Sequence, residues 1–324
     1  MLVDLAIAYR KSSALFAFVE SKAPLYLDTK NGKTAEQLAQ LCNVSQARFR
    51  RLLNYMQSLN VLTKKEDKFY LTEPCASLSD PNSFSTMHIR FELNPAIWNS
   101  WSQYCLSLSE TNERSAFELN HHEPFFDYLD HEDNKALKVD FDDFMSKTTD
   151  VMSKYIIENM PLEGIHSIMD IGGGLGSLAK GIKTRHPHIQ CHVMDLYDFD
   201  RQESEGVIFI KGDFFSTIPA AYDAYCMKNV LHDWADNKSV AILNNVHKAM
   251  REDSVLYIIE MVKEPNDADS ASFDLYMDIT VSGKSRSLSE FELIAKQAGL
   301  SLTNTYKMPI SLTGSNQYII EMKK

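Results

Sequence analysis

Residues 228–236 read KNVLHDWAD and follow the apolar run AYDAYCM. His232, Asp233 and Trp234 therefore stand side by side just past a segment that reads as a buried strand. Imidazole is the side chain that most readily exchanges a proton near neutral pH, which makes His232 a candidate general base. Asp233 would cap the helix that follows, and Trp234 would flank a ligand or pack. A second group lies in MDIGGGLGSLAKGI, where Gly172, Gly173, Gly174 and Gly176 fall at a strand-to-helix turn. Glycines there let a ligand approach the backbone, and the helix start offers unpaired N–H groups.

Acids end three successive strand-like runs: Asp170 before the glycines, Asp195 in VMDL and Asp213 in KGDFF. In an open α/β sheet that rim is where ligands bind. Asp195 can take both hydroxyls of a ribose, Asp213 the amino group of an adenine, and Phe214 can pack on the ring. A dinucleotide fingerprint can be laid on Gly174, Gly176 and Ala179, but no Lys or Arg occurs between Asp170 and Leu178. A carboxylate at Asp170 repels a pyrophosphate and suits a cationic amino-acid tail. S-adenosylmethionine has that tail, a sulfonium, a ribose and no phosphate, so Asp170, Gly172 and Gly174 are read as its cradle. A nicotinamide dehydrogenase is the weakest alternative for the same reason.

The elements that must position these groups are legible in outline. From residue 165 onward, IHSIMDI, IQCHVMDL, GVIFIKGD, AYDAYCM and SVLYIIEMV alternate with polar helical stretches such as 236–251. That is the pattern of a parallel, Rossmann-like doubly wound sheet covered on both faces. LSLTNTYKM and NQYIIEMKK, joined by PISLTGS, read as an antiparallel hairpin at its edge. Upstream, residues 34–73 spell helix, turn, helix, hairpin. Thr34 with Gln37 makes a capping box, Ser45 caps a second helix carrying Phe49, Leu52, Leu53, Met56 and Leu59 at helical spacing, and VLTKKEDKFYLT forms two strands. The arrangement is a winged helix. Arg48, Arg51, Lys64, Lys65 and Lys68 suit DNA, and a ligand-responsive regulator is one reading, but a protein–protein module fits the acidic chain better. Residues 80–160 read as helical, and His121, His122 and Glu123 in NHHEPF as a solvated loop, since neighbours on one loop seldom converge on a metal. The boundaries expected are 1–95 for the first domain and 96–324 for the second, with a helical segment 96–160 and a core 161–324.

The chain has 324 residues, of which 44% are hydrophobic, enough for about two domains. A net charge of −11 disfavours general binding to nucleic acid or anionic membranes. Five cysteines without a CxxC spacing suit a reducing, cytoplasmic setting. The N-terminus lacks the basic region of a secretory signal, and no apolar run is long enough to span a bilayer.

The ordered set DIGGGLG, MDL, KGDFF, KNVLHDWAD, IIE and SGKSRSLSEFELIAKQAGL, with KVDFDDFMSKTT and the winged helix, resembles the plant-type small-molecule O-methyltransferases, the caffeic acid and acetylserotonin O-methyltransferase family. The resemblance runs over nearly the whole chain. It implies S-adenosylmethionine held at Gly172, Asp195, Asp213, Phe214 and Lys228, His232 as base, Glu260 as the acid behind it, no metal, and a homodimer whose winged helix serves dimerisation. One departure stands out. The family's GGKERT-like segment reads SGKSRS here, so Ser285 replaces a second acid; Glu260 alone, another acid such as Asp278, or altered chemistry would follow. A catalytically degenerate binding protein of the same fold is the corresponding alternative. Phe141, Met145, Phe273 and Met277 are candidate walls for a small aromatic acceptor of a methyl group.

Overall fold

The computed structural model describes residues 1–196, 203–308 and 316–324. The chain divides into two compact units, one of 1–99 with 132–144 and one of 100–131 with 145–324.

In the first unit, Thr34 and Gln37 close the expected capping box ahead of the helix Ala35–Leu41. Ser45 stands at the start of Gln46–Ser58, but its hydroxyl caps nothing. That helix buries Phe49, Leu53 and Met56, and Leu52 and Leu59 pack at the margin. Strands β1 (Lys33–Thr34), β2 (Leu62–Lys65) and β3 (Lys68–Leu71) form an antiparallel sheet in the order β1-β3-β2. Helix, turn, helix and hairpin thus follow one another as the sequence pattern demands, around Phe18, Leu38, Leu53, Leu62, Phe69 and Leu71. Arg48 and Arg51 lie exposed on their helix.

The second unit is built on an eight-stranded sheet with the order β10-β11-β9-β8-β4-β5-β7-β6 among the described residues. Its strands are β4 (Ser167–Ile171), β5 (Gln190–Asp195), β6 (Glu203–Ser204), β7 (Val207–Lys211), β8 (Ala224–Lys228), β9 (Val255–Met261), β10 (Ser301–Lys307) and β11 (Gln317–Lys323). The five central strands run parallel. Most of their Ile, Val, Met and Cys residues are buried, on both faces of β4, β8 and β9, which explains apolar runs without strict alternation there, whereas Ile208 on the outer β7 is exposed. The hairpin β10–β11 closes one edge antiparallel to β9. The PISLTGS loop lies outside the described residues. The short β6, which no pattern announces, pairs antiparallel with β7 at the other edge.

The chain enters the sheet at β4, runs outward through β5 and β7, then returns to lay β8 and β9 on the other side of β4. The crevice beyond the carboxyl ends of β4 and β8 is the topological switch point, where such sheets bind ligands. Among the described residues no helix is long and apolar enough to cross a membrane.

Candidate active site

The glycine turn after β4 is set by backbone geometry. Gly172, Gly174 and Gly176 take φ values of 69°, 52° and 80°, in the left-handed region. Gly172 N–H donates to the carbonyl of Met194 at 2.8 Å, and a Cβ on Gly172 would meet Val230 at 2.8 Å and Phe214 at 3.7 Å. Gly172→Ala is therefore expected to cost about 1–3 kcal/mol of backbone strain and to displace Val230. A thermal melt would register the strain, and unchanged stability would mean that the turn relaxes.

Asp195, the last residue of β5, accepts from Gly174 N–H at 2.8 Å and from its neighbour Leu196 N–H at 2.7 Å. It thus binds the second strand end to the glycine turn. Asp170 lies beneath that turn, 2% exposed, accepting from the Cys226 thiol at 3.5 Å. Burial pushes its carboxyl up to about 7, while Cys226 and Lys228 pull it down. A cation above the turn would favour its charged form. Lys228 ends β8, and burial lowers its ammonium to about 8 against the pull of Glu260 and Asp170. Asp213 lies two residues past β7 and accepts from Phe215 N–H at 2.8 Å. Phe214 meets Phe215 and, edge-on, Trp234, with centroids 5.0 and 6.1 Å away. Trp234 packs as part of this aromatic group, with Phe215 at 4.8 Å and Phe126 at 6.2 Å.

The carboxyl ends of β8 and β9 bring the next pair together. His232 sits in a one-turn 3₁₀ helix, Leu231–Asp233, and is 7% exposed. Its Nδ1 lies 2.6 Å from Oε2 of Glu260, which is fully buried near the end of β9. The other oxygen of Glu260 accepts from the amides of Val230 at 3.1 Å, Leu231 at 3.0 Å and His232 at 3.4 Å. The carboxylate thus anchors both the ring and the turn that carries it. Burial pushes the imidazole down, but the charges of Glu260 and Asp233 and the Glu260 hydrogen bond outweigh it, and the net shift is upward.

Asp233 does not cap the next helix, Asp236–Ala249, whose N-cap is Ala235. Because residues 231–233 form their own tight turn, its carboxylate instead lies 3.5 Å from His232 Nε2. Burial shifts Asp233 upward, with Glu260 adding to the shift and His232 opposing it. This second acid at the ring was missed in the sequence, where HDW reads equally well as a helix start. Burial and the neighbouring Asp274 raise the carboxyl of Asp278. Ser285 is buried, and its Oγ has no hydrogen-bond partner among the described residues.

Phe273, on the helix Ala268–Val281, stands edge-on to His232 with centroids 5.3 Å apart. Met277, one turn further, is 6% exposed. Met145 belongs to the second unit. Phe141 belongs to the first, where its ring lies 5.6 Å from Phe91. In NHHEPF the three side chains diverge: His121 packs on Phe117, His122 ends its helix exposed, and Glu123 pairs with His131 at 2.7 Å.

The strand ends thus gather Asp195, Asp213 and the glycine turn on one rim, with a buried imidazole backed by a carboxylate and Phe273 edge-on to it. The model of the O-methyltransferase domain matches residues 101–301. The chain is 30% identical to the mitomycin biosynthesis 6-O-methyltransferase of Streptomyces lavendulae, over 90% of this chain and 85% of that protein. It is 31% identical to the isoflavone 4'-O-methyltransferase of Medicago truncatula, over 76% and 71%. Among solved structures, the mitomycin 7-O-methyltransferase superposes with a TM-score of 0.89 at 27% identity, covering 100% of this chain and 96% of that one. Human N-acetylserotonin methyltransferase, solved with S-adenosylmethionine, shares the fold with a TM-score of 0.85 at 21% identity, over 100% and 96%. The chain belongs to the O-methyltransferase family.

Proposed function

We propose that the chain transfers a methyl group from S-adenosylmethionine to a hydroxyl oxygen of a small aromatic molecule, with His232 as the general base. The observation that carries this is the contact of 2.6 Å between His232 Nδ1 and a fully buried Glu260. It supports a ring proton on Nδ1, with Nε2 as the acceptor.

The residues present fit the cofactor. Gly172 has room for no side chain, Gly174 turns in the left-handed region with nothing within 4 Å of a would-be Cβ, Asp195 and Asp213 present carboxylates at two strand ends, and Phe214 lies beside Gly172. When bound, S-adenosylmethionine supplies an electrophilic methyl on a sulfonium. Phe273 and Met277 orient a flat acceptor. His232 Nε2 would take the proton of the acceptor hydroxyl when a methyl is offered to that oxygen. A phenol near pKa 10 and an imidazole near 6.5 leave a gap of ~3.5 units, or roughly 5 kcal/mol. Glu260 on one side of the ring and Asp233 on the other narrow it by stabilising the imidazolium.

The first unit serves dimerisation in this reading, which its exposed N-terminal helix supports: Leu2, Val3 and Leu5 are 74%, 72% and 68% exposed. Five free cysteines suit the cytoplasm. Ser285, neutral and without a partner, favours one alternative, a protein of this family that binds the cofactor without turnover. Calorimetric titration with S-adenosylhomocysteine and with reduced nicotinamide dinucleotide, followed by a phenol screen, tests all of this. Micromolar binding of the first ligand alone and turnover of a phenol are expected. Binding without turnover of any hydroxyl acceptor would favour the degenerate reading, and no binding would overturn both.

A further inference from the structure

We infer that Arg286 is the positioning residue of the base: its guanidinium grips main-chain carbonyls on both sides of His232 and so fixes where Nε2 stands. The inference rests on the reading of His232 as the proton acceptor. Arg286 is fully buried. Its Nη1 donates to the carbonyl of Leu231 at 2.7 Å, and its Nη2 donates to the carbonyl of Trp234 at 2.7 Å and to Ser239 Oγ at 3.0 Å. Its Nε donates to Asp236 Oδ1 at 2.9 Å. Leu231 and Trp234 bracket the His232–Asp233 pair. Only a planar fork with several fixed donors can span both carbonyls at once.

The opposite side of the same turn is held by Glu260, which takes its amide N–H groups. One buried ion thus binds the donors of the turn and another its acceptors. Among the described residues the guanidinium's carboxylate partner is Asp236, whose side chain is 49% exposed. An ion pair of that kind gives little reason to bury an arginine; the carbonyls do.

The segment around Arg286 extends the clamp. Gly283 N–H donates to the Met277 carbonyl at 3.1 Å, and Lys284 N–H donates to the His232 carbonyl at 2.8 Å. Ser285 N–H donates to Asp274 Oδ1 at 2.8 Å. A Cβ on Gly283 would fall 2.0 Å from the His232 carbonyl oxygen, so the strap lies directly against the turn. It ties His232 to the helix that presents Phe273 and Met277. With serine at 285 the strap brings no carboxylate to the ring at that position. Its contribution in this chain is geometric.

The test uses the full-length protein with Arg286→Lys, Arg286→Ala and Gly283→Ala. A displacement of about 1 Å at a reacting group costs on the order of 10²-fold in rate. Arg286→Lys, which cannot bridge both carbonyls, is expected to lose about tenfold or more in kcat, with KM and S-adenosylhomocysteine affinity nearly unchanged. As the ring slips from Glu260, the acid limb of the rate and the NMR titration midpoint of His232, assigned by its loss in His232→Gln, both move to lower pH. Millimolar guanidinium should restore part of the rate to Arg286→Ala. A lower melting temperature with unchanged pH limb, titration midpoint and kcat per folded molecule would overturn the inference. If Arg286→Ala does not fold, the lysine and Gly283→Ala variants carry the test alone. If the wild type methylates no phenol, the proposed function fails, while the His232 titration in Arg286→Lys still decides the role of Arg286: a downward shift supports it and an unmoved midpoint removes it.

Discussion

His232→Ala is expected to lower kcat by about three decades, within the 10²–10⁴-fold range of a lost general base, and to leave S-adenosylhomocysteine affinity intact. The reason lies in the separation of parts. In the proposed reading Gly172, Gly174, Asp195 and Phe214 hold the cofactor, whereas the ring lies against Glu260, Asp233 and Phe273. Only the protonated oxygen of the acceptor needs the imidazole. The pH dependence follows with a definite sign. A protonated ring accepts nothing, so the rate falls as pH drops through the His232 pKa. That pKa is shifted upward by Glu260 and Asp233 against the effect of burial, which places the acid limb above the ordinary histidine value of about 6.5. The same upward shift means that His232 contributes stability below its unfolded pKa and loses it as pH rises through the folded one. Steady-state kinetics of wild type and variant from mildly acidic to mildly basic pH measures the rate loss and the acid limb, which the variant should lack. Activity within tenfold of wild type, on the scale of one small catalytic contribution, would remove His232 from the chemistry.

Glu260→Gln and Glu260→Ala are expected to fail in different ways. Three amides converge on one oxygen of Glu260, so that position must remain an oxygen in the glutamine variant. The NH₂ group is then turned toward His232 Nδ1, which has to accept rather than donate. The ring proton moves to Nε2, and the base is lost through its tautomer while the fold is kept. The rate should fall by about 10⁴, as when the orienting carboxylate of a catalytic triad becomes an amide. The alanine variant removes the acceptor altogether and leaves the buried amides and the ring unpaired. Breaking a buried charged pair costs about 3–5 kcal/mol, or roughly 10 °C in melting temperature at 2–4 °C per kcal/mol. A glutamine variant with wild-type kcat would show that the tautomer is not set here.

What the sequence could disclose follows from how far each interaction reaches along the chain. The capping box at Thr34, the hairpin Leu62–Leu71 and the parallel strands are written in local pattern, and all are present. Glu260 and His232 are 28 residues apart, and only the family resemblance named the pair; the adjacent parallel strands β8 and β9 bring their carboxyl ends to one rim and so explain the contact. Asp233 is no cap, although a cap and a free turn have the same residue pattern; the difference is a 3₁₀ turn separated from the helix by two residues, Trp234 and Ala235. Arg286 was passed over because its partners are carbonyls 52 and 55 residues upstream, and a carbonyl leaves no mark in a sequence. Ser285 drew the eye as a missing charge, whereas the adjacent arginine carries the structural consequence of that segment.

The turn bearing His232 is gripped through its peptide groups, amides toward Glu260 and carbonyls toward Arg286. Such a grip is blind to side-chain identity, proline apart, since every residue offers the same two groups. The frame and its cargo are therefore separable in a way that matters for redesign. If the proposed roles hold, libraries built at Phe273 and Met277 will vary acceptor preference while His232 Nε2 keeps its place, and libraries that include Glu260, Gly283 or Arg286 will be dominated by inactive clones whatever acceptor is offered.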